Sequence, residues 1–578
     1  MLHKFTNKQV ANILREISAC YEAKEENPFK IRAYNNAADA IEKIDSDIGD
    51  LWAENRLEDV PGVGESLREH LNELFRTGKV KHFEETKKNL PQGMFELLKI
   101  SGIGAKTAFK LSSFFHLDNK DTAAAQLKKL AEKGKIKGLP GFGEESEHKI
   151  LQNIEKLTHK ETRFPLHTAK EISSKVLAFL KESPYVFRAN YLGSLRRESA
   201  MVGDIDIAVA TENSKEVINH FAQYPKIIKI ISKGNIKASA VITGGFQVDI
   251  MTQNPASYGS LLQHFTGSKL HNIHLRKLAL DKGLSLSEYG IKKGSQTLKF
   301  SSEEDFYHFL DMQYIPPELR EDLGEIELAV KNKLPKLIEL SNIKGDLQTH
   351  TTMSDGENSF AEMVSKAKEL KYEYFGITDH QWSTATHTTE VINRLIKARR
   401  LEIEQYNSSH TIPRVLFGIE INVSADNRVV YSDNLLRKFD YVIGAIHSSF
   451  GQTKEQITKR LLTLIENPLI KIIAHPTGRL LLEREGYEAD WDIIFQACKK
   501  HNKVLEINGQ PSRLDLPDSF VREAVKSGVL LSTNTDAHSI NDLGFMPNAV
   551  SVARRGWCGK EDVINALSLG KMLKFLGR

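Results

Sequence analysis

Cysteine is nearly absent. Only Cys20, Cys498 and Cys558 occur in 578 residues, far apart and with no Cys-x-x-Cys pair. This spacing excludes a zinc ribbon and a disulfide framework, and it fits a reducing cytoplasm. Long apolar runs are missing as well. No stretch approaches the length needed to cross a bilayer, and the opening Met1-Leu2-His3-Lys4-Phe5-Thr6-Asn7 lacks the apolar segment of a signal peptide. The expectation is a cytoplasmic protein with no membrane partner. There is little net charge of either sign. The balance is only +4, so the total names no partner and local basic patches decide. No oligomerisation seam stands out, and a monomer is expected. The length exceeds what one hydrophobic core serves, so three or four domains are expected.

Glycine is concentrated in a pattern. The first third reads as helices, with Val10, Ile13, Leu14 and Ile17 at helical spacing. One phrase recurs about every 40 residues: Val60-Pro61-Gly62-Val63-Gly64, Ile100-Ser101-Gly102-Ile103-Gly104 and Leu139-Pro140-Gly141-Phe142-Gly143. Two glycines one residue apart permit a tight turn. The turn and the helix after it can offer backbone N–H groups to a phosphate, which grips a nucleic-acid backbone without reading sequence. One such turn is an ordinary helix corner. Three favour DNA binding through Gly62, Gly64, Gly102, Gly104, Gly141 and Gly143, in the manner of helix-hairpin-helix motifs.

From about Tyr185 strands begin. Asp204-Ile205-Asp206-Ile207-Ala208-Val209 and Gly245-Phe246-Gln247-Val248-Asp249-Ile250-Met251 alternate polar and apolar residues. Positions i and i+2 of a strand share a face, so Asp204 and Asp206 can share divalent metals, with Asp249 as a third carboxylate if its strand is a neighbour. Two hard cations held by such oxygens clamp an in-line phosphoryl displacement. Upstream, Gly193-Ser194-Leu195-Arg196-Arg197 offers hydroxyl and guanidinium donors to phosphate oxygens.

Residues 1–320 resemble the family X DNA polymerases, the group that includes DNA polymerase beta. The likeness lies in Gly193-Ser194 with Arg197, Gly203-Asp204-Ile205-Asp206, Val248-Asp249-Ile250 and Phe265-Thr266-Gly267-Ser268, then Asn272, Arg276 and Glu288-Tyr289-Gly290-Ile291. It implies short-gap filling with deoxynucleoside triphosphates on gapped or primer-template DNA, with magnesium or manganese at Asp204, Asp206 and Asp249. Ser194, Arg197, Gly203, Phe265, Thr266, Gly267 and Asn272 would bind the nucleotide, and Arg276 the template strand. Three positions depart from the pattern. His264 stands where a tyrosine is usual, Gln247 where polymerase beta has arginine, and His70 where it has its Schiff-base lysine. A neutral imidazole cannot form that adduct, so a lyase activity is not carried over.

The last 240 or so residues alternate short apolar runs with helical patterns, the runs ending at Leu347, Ile377, Ile421, Ile446, Ile473, Ile507 and Ser532. This reads as a parallel sheet or barrel, in which chemistry sits at the C-terminal strand ends. Most of the histidines and acids follow the runs directly, and together they offer His350, Asp355, His380, Glu420, His447, His475, Asp536 and His538. Such ligands suit zinc, manganese or iron. One histidine after an apolar run is usually a core residue, whereas so many at successive strand ends mark a metal cluster. The phrases resemble the polymerase-and-histidinol-phosphatase (PHP) superfamily over roughly 340–578. That likeness implies a distorted seven-stranded βα barrel binding two or three zinc or manganese ions (or iron), and a phosphoesterase. Gln348 stands where a first histidine is common, and Arg479 and Arg513 lie where a DNA phosphate can be held.

The expected fold is multidomain, α+β and α/β. The order is a helical DNA-end-binding domain (1–90), a fingers-like helix-hairpin-helix domain (91–160), a palm with a mixed sheet (161–252), a thumb-like domain (253–318), a linker (319–340) and the barrel (341–578). This order resembles bacterial and archaeal family X polymerases with a C-terminal PHP domain, associated with 3′-to-5′ exonuclease activity. Three alternatives stay open. The barrel can be a small-molecule phosphatase or a metal-stabilised scaffold without catalysis, and the polymerase half can be a template-independent nucleotidyltransferase.

Overall fold

The computed structural model describes residues 5, 7–43, 48–53, 57–100, 102–120, 122–158, 163–384 and 387–578. Ser101 of the second glycine phrase and residues 1–4 and 6 of the amino terminus lie outside them. The chain forms two compact units, Met1–Thr162 with Ser448–Gln452, and Arg163–His447 with Thr453–Arg578.

The first unit is helical. Val10, Leu14 and Ile17 from helix Asn7–Ala23 are fully buried against Ala37, Ala38 and Ile41 of helix Pro28–Lys43, as their helical spacing predicts. The three glycine phrases fold alike. Their first glycines have φ of +83°, +83° and +88°, a left-handed conformation that only glycine adopts cheaply. In each, an N–H donates back across the turn: Val63 to Val60, Ile103 to Ile100 and Phe142 to Leu139. A helix follows each turn, Glu65–Thr77, Ala105–Phe114 and Glu144–Thr158.

In the second unit a five-stranded mixed sheet comes first. Its order is Arg188–Tyr191, Ile205–Ala210, Phe246–Gln253, Lys237–Ile242 and Ile227–Lys233. Strands Ile205–Ala210 and Phe246–Gln253 run parallel, with Asp206 directly beside Asp249. Helices Tyr258–Thr266 and Lys269–Asp281 follow, then a three-stranded sheet and helix Glu303–Phe309.

The charged stretch expected to link the domains is not free. Leu319, Ile326, Ala329 and Leu337 join the core formed by Leu275, Phe306 and Tyr307. Arg320 and Glu325 are fully buried. Burial of these charges is tolerable because each is paired: Arg320 with Glu303 at 2.6 Å and Glu325 with His271 at 2.6 Å.

The seven last strands, Gly345–Asp346, Tyr374–Ile377, Arg414–Asn422, Tyr441–Ala445, Ile470–Ile473, Val504–Asn508 and Leu530–Asn534, pair in parallel in sequence order. A bridge from Thr349 to Ala537 joins the first edge to the last, so the sheet nearly closes on itself. Parallel strands need crossover helices, and helices such as Phe360–Glu369, Thr389–Ser409 and Lys454–Glu466 supply them. The strand interiors read as continuous apolar runs because both faces are covered.

Candidate functional site

The mixed sheet assembles three carboxylates. Asp204 is exposed just before strand Ile205–Ala210, while Asp206 and Asp249 are half-buried side by side. Burial, then the charges of Asp249 and Asp204, push the Asp206 carboxyl up to about 6. Three anions this close repel one another, and divalent cations relieve that repulsion. Gln247 Nε2 donates to both Asp249 oxygens, at 3.2 and 3.3 Å. The departure from arginine therefore leaves Asp249 held by a neutral donor. Gly193, at φ +57°, begins the short helix Gly193–Arg196 against Asp206, and a Cβ there would lie 2.8 Å from Asp206 Oδ2. Only glycine lets the backbone pass so near the Asp206 carboxylate at this point.

The nucleotide-binding candidates gather in the same region, but not every side chain faces outward. Thr266 is fully buried; its hydroxyl accepts from Arg196 at 2.6 Å. Arg197 donates to the Thr266 carbonyl at 2.6 Å and to Glu321 Oε1 at 3.0 Å. Gly267 has φ +70°, and a Cβ there would meet the Arg197 guanidinium at 3.1 Å. Asn272 donates to the His264 carbonyl at 2.7 Å and accepts from Gln263 at 2.9 Å. His264 lies 4.0 Å from Glu288, and burial lowers its pKa. Phe265 packs against the core of Tyr258 and Leu261, and Arg276 is exposed. No partner crowds Gly203: a Cβ there would meet open space.

In the first unit, Cβ atoms at Gly64, Gly104 and Gly143 would also meet open space. The second glycine of each turn thus leaves the helix N-terminus approachable, whereas the first answers the turn. Gly64 and Gly104 cap their helices without any side-chain bond, so the first N–H groups remain for a ligand. The second and third turns flank a cleft of about 400 Å³ lined by Gly102, Gly141, Lys106, Lys110 and Lys149. His70 accepts or donates at 3.1 Å to Tyr34 and stacks on His82 with ring centroids 4.8 Å apart.

The barrel brings all eight of its candidates to one end. Glu420, fully buried, is the hub. Its Oε1 lies 2.9 Å from His447 Nε2 and 3.1 Å from His475 Nε2, and its Oε2 lies 3.4 Å from His350 Nε2 and 3.5 Å from His380 Nδ1. Asp536 is 3.2 Å from His350, and Asp355 lies 3.6 Å from His380 and 3.5 Å from His538. Three overlapping groups have geometry able to hold a metal: His350, Asp355, His380 and His538; His380, Glu420 and His447; and His350, Glu420 and Asp536. Ligands about 2.1 Å from one ion stand about 3.4 Å apart at tetrahedral angles, which is the spacing seen. Glu420 Oε2, His350 Nδ1, His475 Nδ1 and Gln348 Oε1 are buried without a hydrogen-bond partner. Orphaned polar atoms of this kind call for an ion or water, so the donor set fits the expected metals.

Electrostatics agree. Burial pushes Asp355 and Glu420 up, but the surrounding imidazoles outweigh it and take both well below the carboxylate range. His538 is lowered by burial, yet Asp355 and Asp536 bring it up to about 9. His380, with burial dominant, falls to about 3. Gln348 does reach the site: it is fully buried and its Nε2 lies 3.4 Å from Asp536 Oδ1. Arg513 Nε lies 3.7 Å from Asp536 Oδ2. Arg479 differs from expectation. It spends its guanidinium on the carbonyls of Arg513 and Leu514, and so braces the loop that carries Arg513.

Several supporting residues escaped the sequence reading. Asp379 accepts from the Thr351 amide and from the Thr351 and Ser354 hydroxyls. Glu506, buried under the site, accepts from the His475 amide at 2.7 Å and from Asn508 and Asn534. Asp346 accepts from Thr535 and so ties the first strand to the last. Such partners orient ligands. A polar residue inside a run of apolar strand residues was the available signal, and Glu506 carries it.

Comparison with known proteins agrees with this geometry. Family models match a helix-hairpin-helix domain at residues 5–80, a SAM-like helix-hairpin-helix tandem at 94–156, a DNA polymerase beta thumb at 261–321 and a PHP domain at 346–510. The DNA polymerase/3′-5′ exonuclease PolX of Bacillus subtilis is 36% identical, with 100% of each chain covered. The chain belongs to the family X DNA polymerases that carry a PHP domain. Two further relatives match only part of the chain. DNA polymerase lambda of Arabidopsis thaliana is 22% identical over 54% of this chain and 62% of its own. A "probable phosphatase" of Thermoanaerobacter sp. is 25% identical over 40% of this chain and 94% of its own. Among the described residues, no helix is long and apolar enough to cross a membrane.

Proposed function

We propose that this family X polymerase fills short gaps during DNA repair and trims 3′ ends with its PHP domain as a 3′-to-5′ exonuclease. The observation that carries the first activity is the parallel pairing of Asp206 with Asp249, with Asp204 beside them. That wall of oxygens suits magnesium or manganese. When bound, the ions lower the pKa of the attacking hydroxyl and neutralise charge on the triphosphate. The chain's own residues do the rest. Ser194 and Arg197 bind phosphate oxygens, Gln247 orients Asp249, and Gly267 and Asn272 border the sugar and base of the deoxynucleoside triphosphate. Arg276 meets the template.

The hairpin glycines and the three lysines of the cleft support a grip on the backbone of gapped or primer-template DNA. We keep the domain limits of the sequence reading as a proposal, with Leu319, Ile326, Ala329 and Leu337 of the stretch 319–340 packed into the thumb core. In the barrel, His350, Asp355, His380, Glu420, His447, His475, Asp536 and His538 would hold zinc, manganese or iron, which would supply Lewis-acid activation of water and phosphate. Arg513 steadies the phosphate under attack. Three buried, unpaired cysteines suit a reducing cytoplasm, and the enzyme acts as a monomer.

Extension of a primer on gapped DNA, compared with single-stranded DNA, tests the templated reading. Templated addition on the gap with little on the single strand is expected; equal extension on both contradicts it. The phosphatase-named relative favours a second reading of the barrel. Hydrolysis of a small phosphomonoester, with no nucleotides released from labelled DNA, would support that one.

A further inference from the structure

The barrel touches Arg197 and Glu321. Helix Met546–Arg555 begins soon after His538 and ends at Arg555. One nitrogen of the Arg555 guanidinium donates to the backbone carbonyl of Arg197 at 2.6 Å and to Glu321 Oε1 at 3.1 Å. The same Glu321 oxygen accepts from Arg197 Nε at 3.0 Å. Arg555 Nε donates to Asp518 at 2.7 Å, which anchors the guanidinium on the barrel side. The group is enclosed: the side chains of Arg555 and Arg197 are 10% and 14% exposed. Two neighbours on this helix reach across as well. Ser551 donates to Glu198 at 2.9 Å and Arg554 to Glu318 at 2.8 Å.

We propose that Arg555 is a positioning residue for nucleotide addition. It sets Arg197 for the incoming triphosphate, directly through the carbonyl and indirectly through Glu321. The inference rests on the reading of Arg197 as a phosphate-binding residue. Glu321 stands between two guanidinium groups and divides its charge between them. Without Arg555 it pairs with Arg197 alone, and a carboxylate then competes with the triphosphate for one guanidinium fork. The Arg197 carbonyl loses its donor at the same time. Lysine is a poor substitute, because one ammonium does not reproduce a fork that holds Asp518 and the shared acceptors together.

The test is steady-state addition of one deoxynucleotide to gapped DNA by the full chain, with exonuclease rate measured on the same preparations. Arg555→Ala should raise the KM for the nucleotide about ten- to hundredfold, the worth of a charge-assisted hydrogen bond. Its kcat and its exonuclease rate should stay near wild type. Adding Glu321→Gln should bring the KM back down, which a merely structural role for Arg555 would not do; failure to lower it overturns the relay through Glu321. A wild-type KM for Arg555→Ala, beside a raised KM for Arg197→Ala, overturns the inference and leaves the nucleotide site as proposed. A wild-type KM for both variants overturns the Arg197 reading, and this inference with it. If Arg555→Ala loses both activities, Arg555→Lys decides: an intermediate KM supports the proposal and a wild-type KM overturns it.

Discussion

Asp204 of the mixed sheet is exposed, and Asp206 and Asp249 are half-buried. At the barrel mouth Glu420 and His350 are fully enclosed, with Asp536 and His475 nearly so. The first site has oxygen donors alone, whereas the second mixes five imidazoles with three carboxylates. This difference separates two ways to hold an ion against a phosphate. Oxygen ligands on an open sheet bind magnesium weakly until substrate phosphates complete the shell. Enclosed nitrogen and oxygen ligands bind a transition metal in the resting protein, and their binding energy then becomes folding energy.

The largest effect that can break this contrast is on nucleotide addition. Asp206→Ala should lower it on the order of 10³-fold or more, since several kcal/mol of charge stabilisation depend on that carboxylate, and leave 3′-end cleavage intact. Loss of both activities in a folded variant would deny that the sites are separate. Next is Glu420→Gln, which removes the hub carboxylate. Cleavage should fall at least about 100-fold, and metal content after dialysis should drop, with extension unchanged.

Chelation sharpens the comparison through stability. A site held at a thousand times its Kd contributes about 4 kcal/mol. A strong chelator should therefore lower the melting temperature of the barrel on the order of 10 °C. Restoring magnesium alone should not recover it, whereas manganese or zinc should. A melting temperature indifferent to chelation would place both sites in the weak, open class. The smallest effect is at Gln348, whose amide is a feeble ligand beside Asp536. Gln348→His should tighten metal binding by about tenfold or less, read as the chelator concentration needed to inactivate cleavage.

The two regions also differed in how much of them could be read from the sequence. The barrel was legible because most ligands lie within a few residues of a strand's C-terminal end, so Ile377 leads to His380 and Ile473 to His475. The mixed sheet was only partly so. Asp-x-Asp marks one strand, but the parallel pairing of Asp206 with Asp249 depends on strand order, which alternation does not encode. The stretch 319–340 looked like a linker because its charges find partners far away in sequence: Arg320 pairs with Glu303, and Glu325 with His271. Arg479 looked like a phosphate ligand for the same reason, since no pattern announces that a guanidinium will be consumed by backbone carbonyls. Arg555 carries no motif at all; only the meeting of the barrel with Arg197 and Glu321 gives it a role.

The most direct measurement uses gapped DNA labelled on the primer 5′ end, incubated with manganese and one nucleotide, and read on one gel. Three proteins are compared: the wild type, Asp204→Ala with Asp206→Ala, and His350→Ala with His447→Ala. The account predicts that the wild type both lengthens and shortens the primer, that the first pair only shortens it, and that the second pair only lengthens it. Shortening that survives in the histidine pair, or extension that survives in the aspartate pair, would contradict it.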